Sequence, residues 1–315
     1  MKRTTARRLP VLAFAALPVL GLTGCGSDPK IVGATGASAP AVTATEDVVS
    51  GVAKSEAAAG LLPEEVRKAG TVKFGSAFGA PPGAYYPDPA TKKAAGIDID
   101  FSDAVAKVLG LTVQREEAAF ETILPALGSG KYDVGTGNFG VTTARLKTID
   151  FVTYIDDGQG FAVKKGDTAL QPVTDLVQLC GLTIGTGAGT TFESTLNSKK
   201  GVCADAGKKP YDVRAFSENG ALLTAVQQGR VDVQMSTING LRYQAASEAA
   251  GVRFLSEFHR LDVGFAFAKG SKLTPAFQAA VNQLIKDGTY DRILKKWGVT
   301  DSAIKESQIS PPEHP

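Results

Sequence analysis

The segment "LPALGSGKYDV" at 124–134 returns later in the chain as "LTAVQQGRVDV" at 223–233. Each copy reads as a helix end, a Gly, a basic residue and a strand that carries an Asp. Each follows a strand ending in Gly, "VKFGSAF" at 72–78 and "LTIGTGAG" at 182–189. A chain that builds the same unit twice predicts two lobes of similar design. Strands and helices alternate within the units. "TVKFG" is a strand and "FSDAVAKVLG" a helix, with Phe101, Ala104, Val105, Val108 and Leu109 on one face and Gly110 at its stop. "FETILPALGSG" is a second helix and "KYDV" the next strand. This order predicts an α/β fold with a largely parallel sheet. Two helices close the body, one through Leu273, Phe277, Val281, Leu284 and Ile285, the other through Tyr290, Ile293, Leu294 and Trp297. At 315 residues and 43% hydrophobic, the chain can bury such a core.

The N-terminus sets the compartment. "MKRTTARR" is basic, and "LPVLAFAALPVLGL" follows as an apolar run too short for a span of about 20 residues. That order predicts an export signal. It ends in "LTGC", which resembles a bacterial lipobox with Cys25 as the acylated residue. The implied anchor is a set of acyl chains, each buried CH₂ contributing about 0.8 kcal/mol. From Gly26 to about Gly60 no aromatic residue occurs, so residues 25–60 are expected to form a disordered tether. In an oxidising compartment Cys180 and Cys203 are expected to bridge, with two free thiols as the alternative. Histidines occur only at 259 and 314, away from ligand spacing to Cys, so no metal site is expected. A net charge of +2 makes no case for nucleic acid.

Gly135, Gly137 and Gly140 satisfy G-x-G-x-x-G. A dinucleotide fold puts that turn after its first strand, whereas here a strand and two helices come before it. No cofactor is expected from it.

Taken in order, "GIDIDFSDAVAKVLG", "LPALGSGKYDV", "VTTARLKTIDFVTYI", "DLVQLCGLTIGTGAGTT", "GRVDV", "FAFAKGSKL" and "IKDGTYDRILKKWG" resemble the extracellular solute-binding proteins of ABC importers, polar amino acid class, family three. The resemblance covers roughly 62–298. It implies a two-lobed periplasmic-binding-protein-like (type II) fold with hinge strands and a ligand cleft. On that pattern residues 1–24 are signal peptide. Lobe one takes 61–155 and 265–305, lobe two takes 156–264 with both hinge crossings, and 306–315 is a frayed tail. The implied function is a monomeric, membrane-tethered carrier that delivers a small-molecule ligand, an amino acid or a derivative, to a permease and its ATPase. An enzyme on the same fold, related to cyclohexadienyl dehydratase, and a sensory receptor are the alternatives.

The resemblance also implies site residues. Arg145 of the "T.eR" motif would fork a ligand carboxylate, with backbone near Gly140 and Thr142 adding donors. Gly189, Thr190 and Thr191 would present a helix N-terminus to the same group. Asn138, Phe139 and Phe120 would line the cleft, with Phe78 and Tyr85 as further candidates. Thr237 stands where many amino acid binders place an Asp against the ligand ammonium. Either another acid compensates, Glu218 or Asp157, or the ligand lacks a free primary ammonium.

Overall fold

The computed structural model describes residues 45–79 and 81–314. The export signal, Cys25 and most of the expected tether lie outside the described residues. Two short helices open the chain, α1 (Glu56–Ala59) and α2 (Glu64–Ala69). Then follow β1 (Thr71–Ser76), α3 (Ile97–Leu109), β2 (Thr112–Glu117), α4 (Phe120–Gly128), β3 (Val134–Gly140) and the long β4 (Ile149–Lys164). The second unit has β5 (Thr183–Gly187), α5 (Thr191–Ser198), α6 (Gly201–Asp205), β6 (Asp212–Phe216), α7 (Asn219–Gln227), β7 (Val233–Thr237) and α8 (Ile238–Ala246). The long β8 (Val252–Ala268), α9 (Thr274–Lys286) and α10 (Thr289–Trp297) complete it.

The strands form one mixed sheet in the order β2-β1-β3-β8-β4-β7-β5-β6. The repeat seen in the sequence is visible in that order. In each half the first strand, β1 or β5, lies between its two parallel partners. β4 and β8 run antiparallel through both halves. Phe265 and Tyr154 belong to the larger core, Phe161 and Leu255 to the second. The chain therefore crosses between halves along Ile155–Gln159 and His259–Val263. Gly158 permits the crossing: its φ is +152°, and a Cβ there would stand 2.2 Å from the His259 carbonyl oxygen.

Apolar faces read from the sequence are buried in the larger core. Phe101, Ala104, Val105, Val108 and Leu109 of α3 meet Phe277, Val281 and Leu284 of α9 and Tyr290, Ile293 and Trp297 of α10. Two expected boundaries need correction. The packed body starts before Leu61: Val48, Ala58 and Leu62 join the core, and the Ser55 N–H donates to the Val108 carbonyl at 2.8 Å. Small side chains need no aromatic anchor to fit against α3 and α9, and composition hid this. The tail is not frayed either. The Thr153 N–H donates to the Gln308 carbonyl at 3.0 Å, the Ser310 N–H to the Phe151 carbonyl at 2.9 Å, and Ser307 is buried. Residues 307–310 thus satisfy backbone groups at the start of β4.

Cys180 and Cys203 are joined, Cα atoms 5.6 Å apart, tying a one-turn helix at Leu176–Leu179 to α6. Their separation of 23 residues makes the bridge worth about 3 kcal/mol on the chain-entropy account. Replacing both by Ser is expected to lower the unfolding temperature by roughly 6–12 °C. Calorimetry checks this; an unchanged transition would show that the bridge contributes nothing.

Candidate functional site: the interlobe cleft

In both halves the central strand is left in opposite directions, so a crevice opens beyond the carboxyl ends of β1 and β3 and of β5 and β7. Ligands of open α/β sheets bind at such switch points. Here the two crevices face each other and enclose a cavity of about 360 Å³. Phe120, Asn138, Arg145, Thr190, Thr191 and Thr237 line it, as do Asp157 and Glu218. The size suits a small solute.

Arg145 begins a short turn after β3. Its Nη1 donates to the Gly140 carbonyl at 3.0 Å and its Nη2 reaches the Gly189 carbonyl across the cleft at 3.5 Å. The guanidinium lies 5.8 Å from the Phe120 ring centre and 5.7 Å from that of Phe139. Burial lowers its pKa to about 10, so it stays charged at neutral pH. Among the described residues no carboxylate forms an ion pair with it. A desolvated cation with only carbonyls for partners is a receptor for an anion.

From the second lobe, α5 points its N-terminus at the cavity. The Thr190 hydroxyl accepts from the Glu193 N–H at 3.3 Å and donates to the Gly187 carbonyl at 2.7 Å, capping the helix. The first-turn residues Thr191 and Phe192 line the cavity, where their N–H groups have no intrahelical partner.

Four expected residues sit differently. Phe139 does not line the cleft. It is fully buried beneath Phe120, stacked at 4.7 Å, in a small cluster with Ile123, Val141 and Phe151, because it projects from β3 away from the crevice. Gly189 offers no free donor, since its N–H is taken by the Glu193 carboxylate at 2.8 Å; its φ of +69° brings it against Glu121 of the first lobe. Thr142 acts through Arg145, its hydroxyl accepting the Arg145 N–H at 3.3 Å. Gly140 likewise contributes its carbonyl. Of the aromatic candidates, Phe78 lines the cavity, stacked on Tyr86 at 4.6 Å, whereas Tyr85 packs edge-on against Trp297. The G-x-G-x-x-G run lies along β3 rather than in a strand–helix turn.

The floor is acidic. Asp98, at the start of α3, is buried and accepts from the Tyr154 hydroxyl at 2.5 Å; burial raises its pKa. Asp157, on the crossing of β4, is fully buried. Asn239 N–H and Asn138 Nδ2 donate to it at 3.1 and 2.9 Å. Burial raises its pKa to about 6, against those bonds. Asn138, at φ +55°, touches both carboxylates, its backbone toward Asp98 and its side chain toward Asp157. Sequence reasoning missed Asp98, whose place in "GIDIDF" reads as an ordinary helix start. With Glu117, Glu121 and Glu218, five carboxylates surround the cavity against the single guanidinium of Arg145.

Residues 72–300 match the family model of the bacterial extracellular solute-binding proteins, family 3. The chain belongs to this family. Among curated relatives of this solute-binding protein, the arginine-binding protein ArgT of Corynebacterium glutamicum is 27% identical over 79% of the chain and 81% of its own length. The glutamine-binding protein GlnH of an ABC transporter in Bacillus subtilis is 28% identical over 69% and 77%. Among solved structures, an ancestral arginine-binding protein bound to arginine is 34% identical, with a TM-score of 0.64 over 72% of the chain and 98% of its own. An ancestral amino acid-binding protein, a precursor of cyclohexadienyl dehydratase, is 28% identical, with a TM-score of 0.65 over 74% and 98%. Among the described residues no helix is long and apolar enough to cross a membrane.

Proposed function

We propose that this solute-binding protein holds an amino acid by its carboxylate between the lobes and delivers it to an ABC permease and its ATPase. The observation that carries the reading is the partly buried Arg145 guanidinium facing the cavity without an acidic partner, opposite the tip of α5. A carboxylate bridging the two favours the closed arrangement through contacts that exist only there. The carboxylate excess around the cavity favours a solute with a positive side chain over an acidic one. The names of the arginine-binding relatives agree with this preference. Cys25 behind an export signal supports a lipid anchor on the extracytoplasmic face of the membrane.

The chain acts as a carrier rather than an enzyme. Among the described residues its cavity lining includes no His, Lys or Cys to pair as nucleophile and base. A thermal-shift screen of the amino acids tests the reading. Arginine, lysine or ornithine is expected to raise the unfolding temperature, with about 2.7 kcal/mol of added stability at a hundred times the dissociation constant. Aspartate and glutamate are expected to give no shift. A screen in which only acidic amino acids, or none, stabilise the protein would contradict it.

A further inference from the structure

The inference concerns the other end of the ligand and rests on the reading that the cleft binds an amino acid through Arg145. An α-amino acid carries an ammonium, and a buried ammonium needs an anionic partner. The start of α8 supplies none. The Thr237 hydroxyl oxygen is committed as the cap of that helix, accepting from the Gly240 N–H at 3.0 Å.

A carboxylate does stand in the floor. Asp157 is fully buried and lines the cavity. Its hydrogen-bond donors are neutral: the Asn239 N–H, in the first turn of α8, to Oδ1, Asn138 Nδ2 to Oδ2, and the backbone N–H of Gly158. They fix the carboxylate and leave at least one of its roughly four lone-pair sites open. Among the described residues it forms no ion pair. Arg260, the cation whose field reaches it, pairs instead with Asp156, Glu257 and Asp301. A second observation points the same way. Gln244, on the same face of α8 as Thr237 and Gly240, lines the cavity, and its Oε1 is buried with no hydrogen-bond partner. Two acceptors on this side of the cleft, the Asp157 carboxylate and Gln244 Oε1, are open to a further donor.

We propose that Asp157, on the hinge strand, is the ammonium-binding carboxylate of this cleft. Thr237 then has a capping role only. The placement also links recognition to closure. The same carboxylate is held by Asn138 of lobe one and Asn239 of lobe two, on a strand both lobes share. A bound ammonium therefore neutralises a charge on which both halves converge.

The test uses two ligand pairs that differ only in the amine: L-arginine with 5-guanidinopentanoic acid, and L-glutamine with glutaramic acid. In the wild-type protein, loss of the amine is expected to weaken binding at least about thirtyfold in the pair that binds. In Asp157→Asn the two members of that pair are expected to bind within about threefold of each other. The amine-free acid is expected to keep its wild-type affinity there. In Thr237→Ala the wild-type ratio is expected to persist. An unchanged ratio in Asp157→Asn, or a collapsed ratio in Thr237→Ala, overturns the assignment. So does equal wild-type affinity for both members of a pair, an outcome that leaves carboxylate capture by Arg145 standing. Binding of no member at all defeats the functional reading itself. Should the Asn variant fail to fold, a wild-type crystal structure with L-arginine decides: the α-nitrogen is expected within hydrogen-bond distance of Asp157, and a position out of its reach overturns the proposal.

Discussion

Arg145→Ala is expected to remove solute binding from a protein that still folds. Truncating one partner of a buried, hydrogen-bonded charge pair costs 2–5 kcal/mol, so the dissociation constant is expected to rise by roughly 30- to 5,000-fold. Nothing else on that wall can take over, because Arg145 is the one basic side chain lining the cavity among the described residues. Arg145→Lys keeps the charge and loses the fork, and an intermediate loss is expected. The empty variant should unfold no earlier than wild type. The guanidinium hydrogen-bonds only the Gly140 and Gly189 carbonyls and lies over the Phe120 and Phe139 rings, and its burial is a cost in the absence of an anion. Titration calorimetry with the amino acid that gives the largest thermal shift measures the first effect. Scanning calorimetry of the empty proteins measures the second. Affinity within a few-fold of wild type would remove Arg145 from the site.

Asp100→Ala is expected to give the largest loss of stability away from the cleft. Asp100, on α3, accepts from Lys296 Nζ at 2.8 Å and Trp297 Nε1 at 2.7 Å, both on α10. Lys296 is only 6% exposed, and its ammonium lies 5.2 Å from the Trp297 ring centre. Removing the carboxylate strands a buried ammonium and an indole N–H. Breaking a buried pair from one side costs about 3–5 kcal/mol. The unfolding temperature is expected to fall by roughly 6–20 °C. Replacing both members, Asp100→Leu with Lys296→Met, should recover most of that loss, since an apolar pair of similar volume leaves no charge behind. A single variant within 1 kcal/mol of wild type would show that Lys296 finds another partner or water.

The architecture was legible wherever periodicity reports burial. The apolar faces of α3, α9 and α10 are buried as their spacing predicted, and the duplicated helix–Gly–strand segment anticipated the mirrored strand orders around β1 and β5. The sequence was silent where packing uses small or polar groups. Residues 48–60 contain nothing larger than Val beside their charged side chains, yet Val48 and Ala58 settle into lobe one. The tail holds on by backbone hydrogen bonds, which leave no trace in composition.

The site divides in the same way. Arg145 could be found because its motif fixes its neighbours. Phe139 was misplaced because adjacent strand residues point to opposite faces, and the motif fixed position along β3 without fixing which face looks into the crevice. Asp98 and Asp157 are harder cases. An Asp at a helix start reads as solvated until the fold shows that it is buried, and Asp157 stood in the sequence only as one of two acids, with Glu218, open to the ligand ammonium.

The most direct measurement is a crystal structure of the protein with its bound amino acid. The account predicts both Arg145 Nη atoms within about 3 Å of one ligand carboxylate that also receives N–H groups from the first turn of α5. It is contradicted if Arg145 keeps its present bonds to the Gly140 and Gly189 carbonyls while the ligand carboxylate lies elsewhere in the cleft.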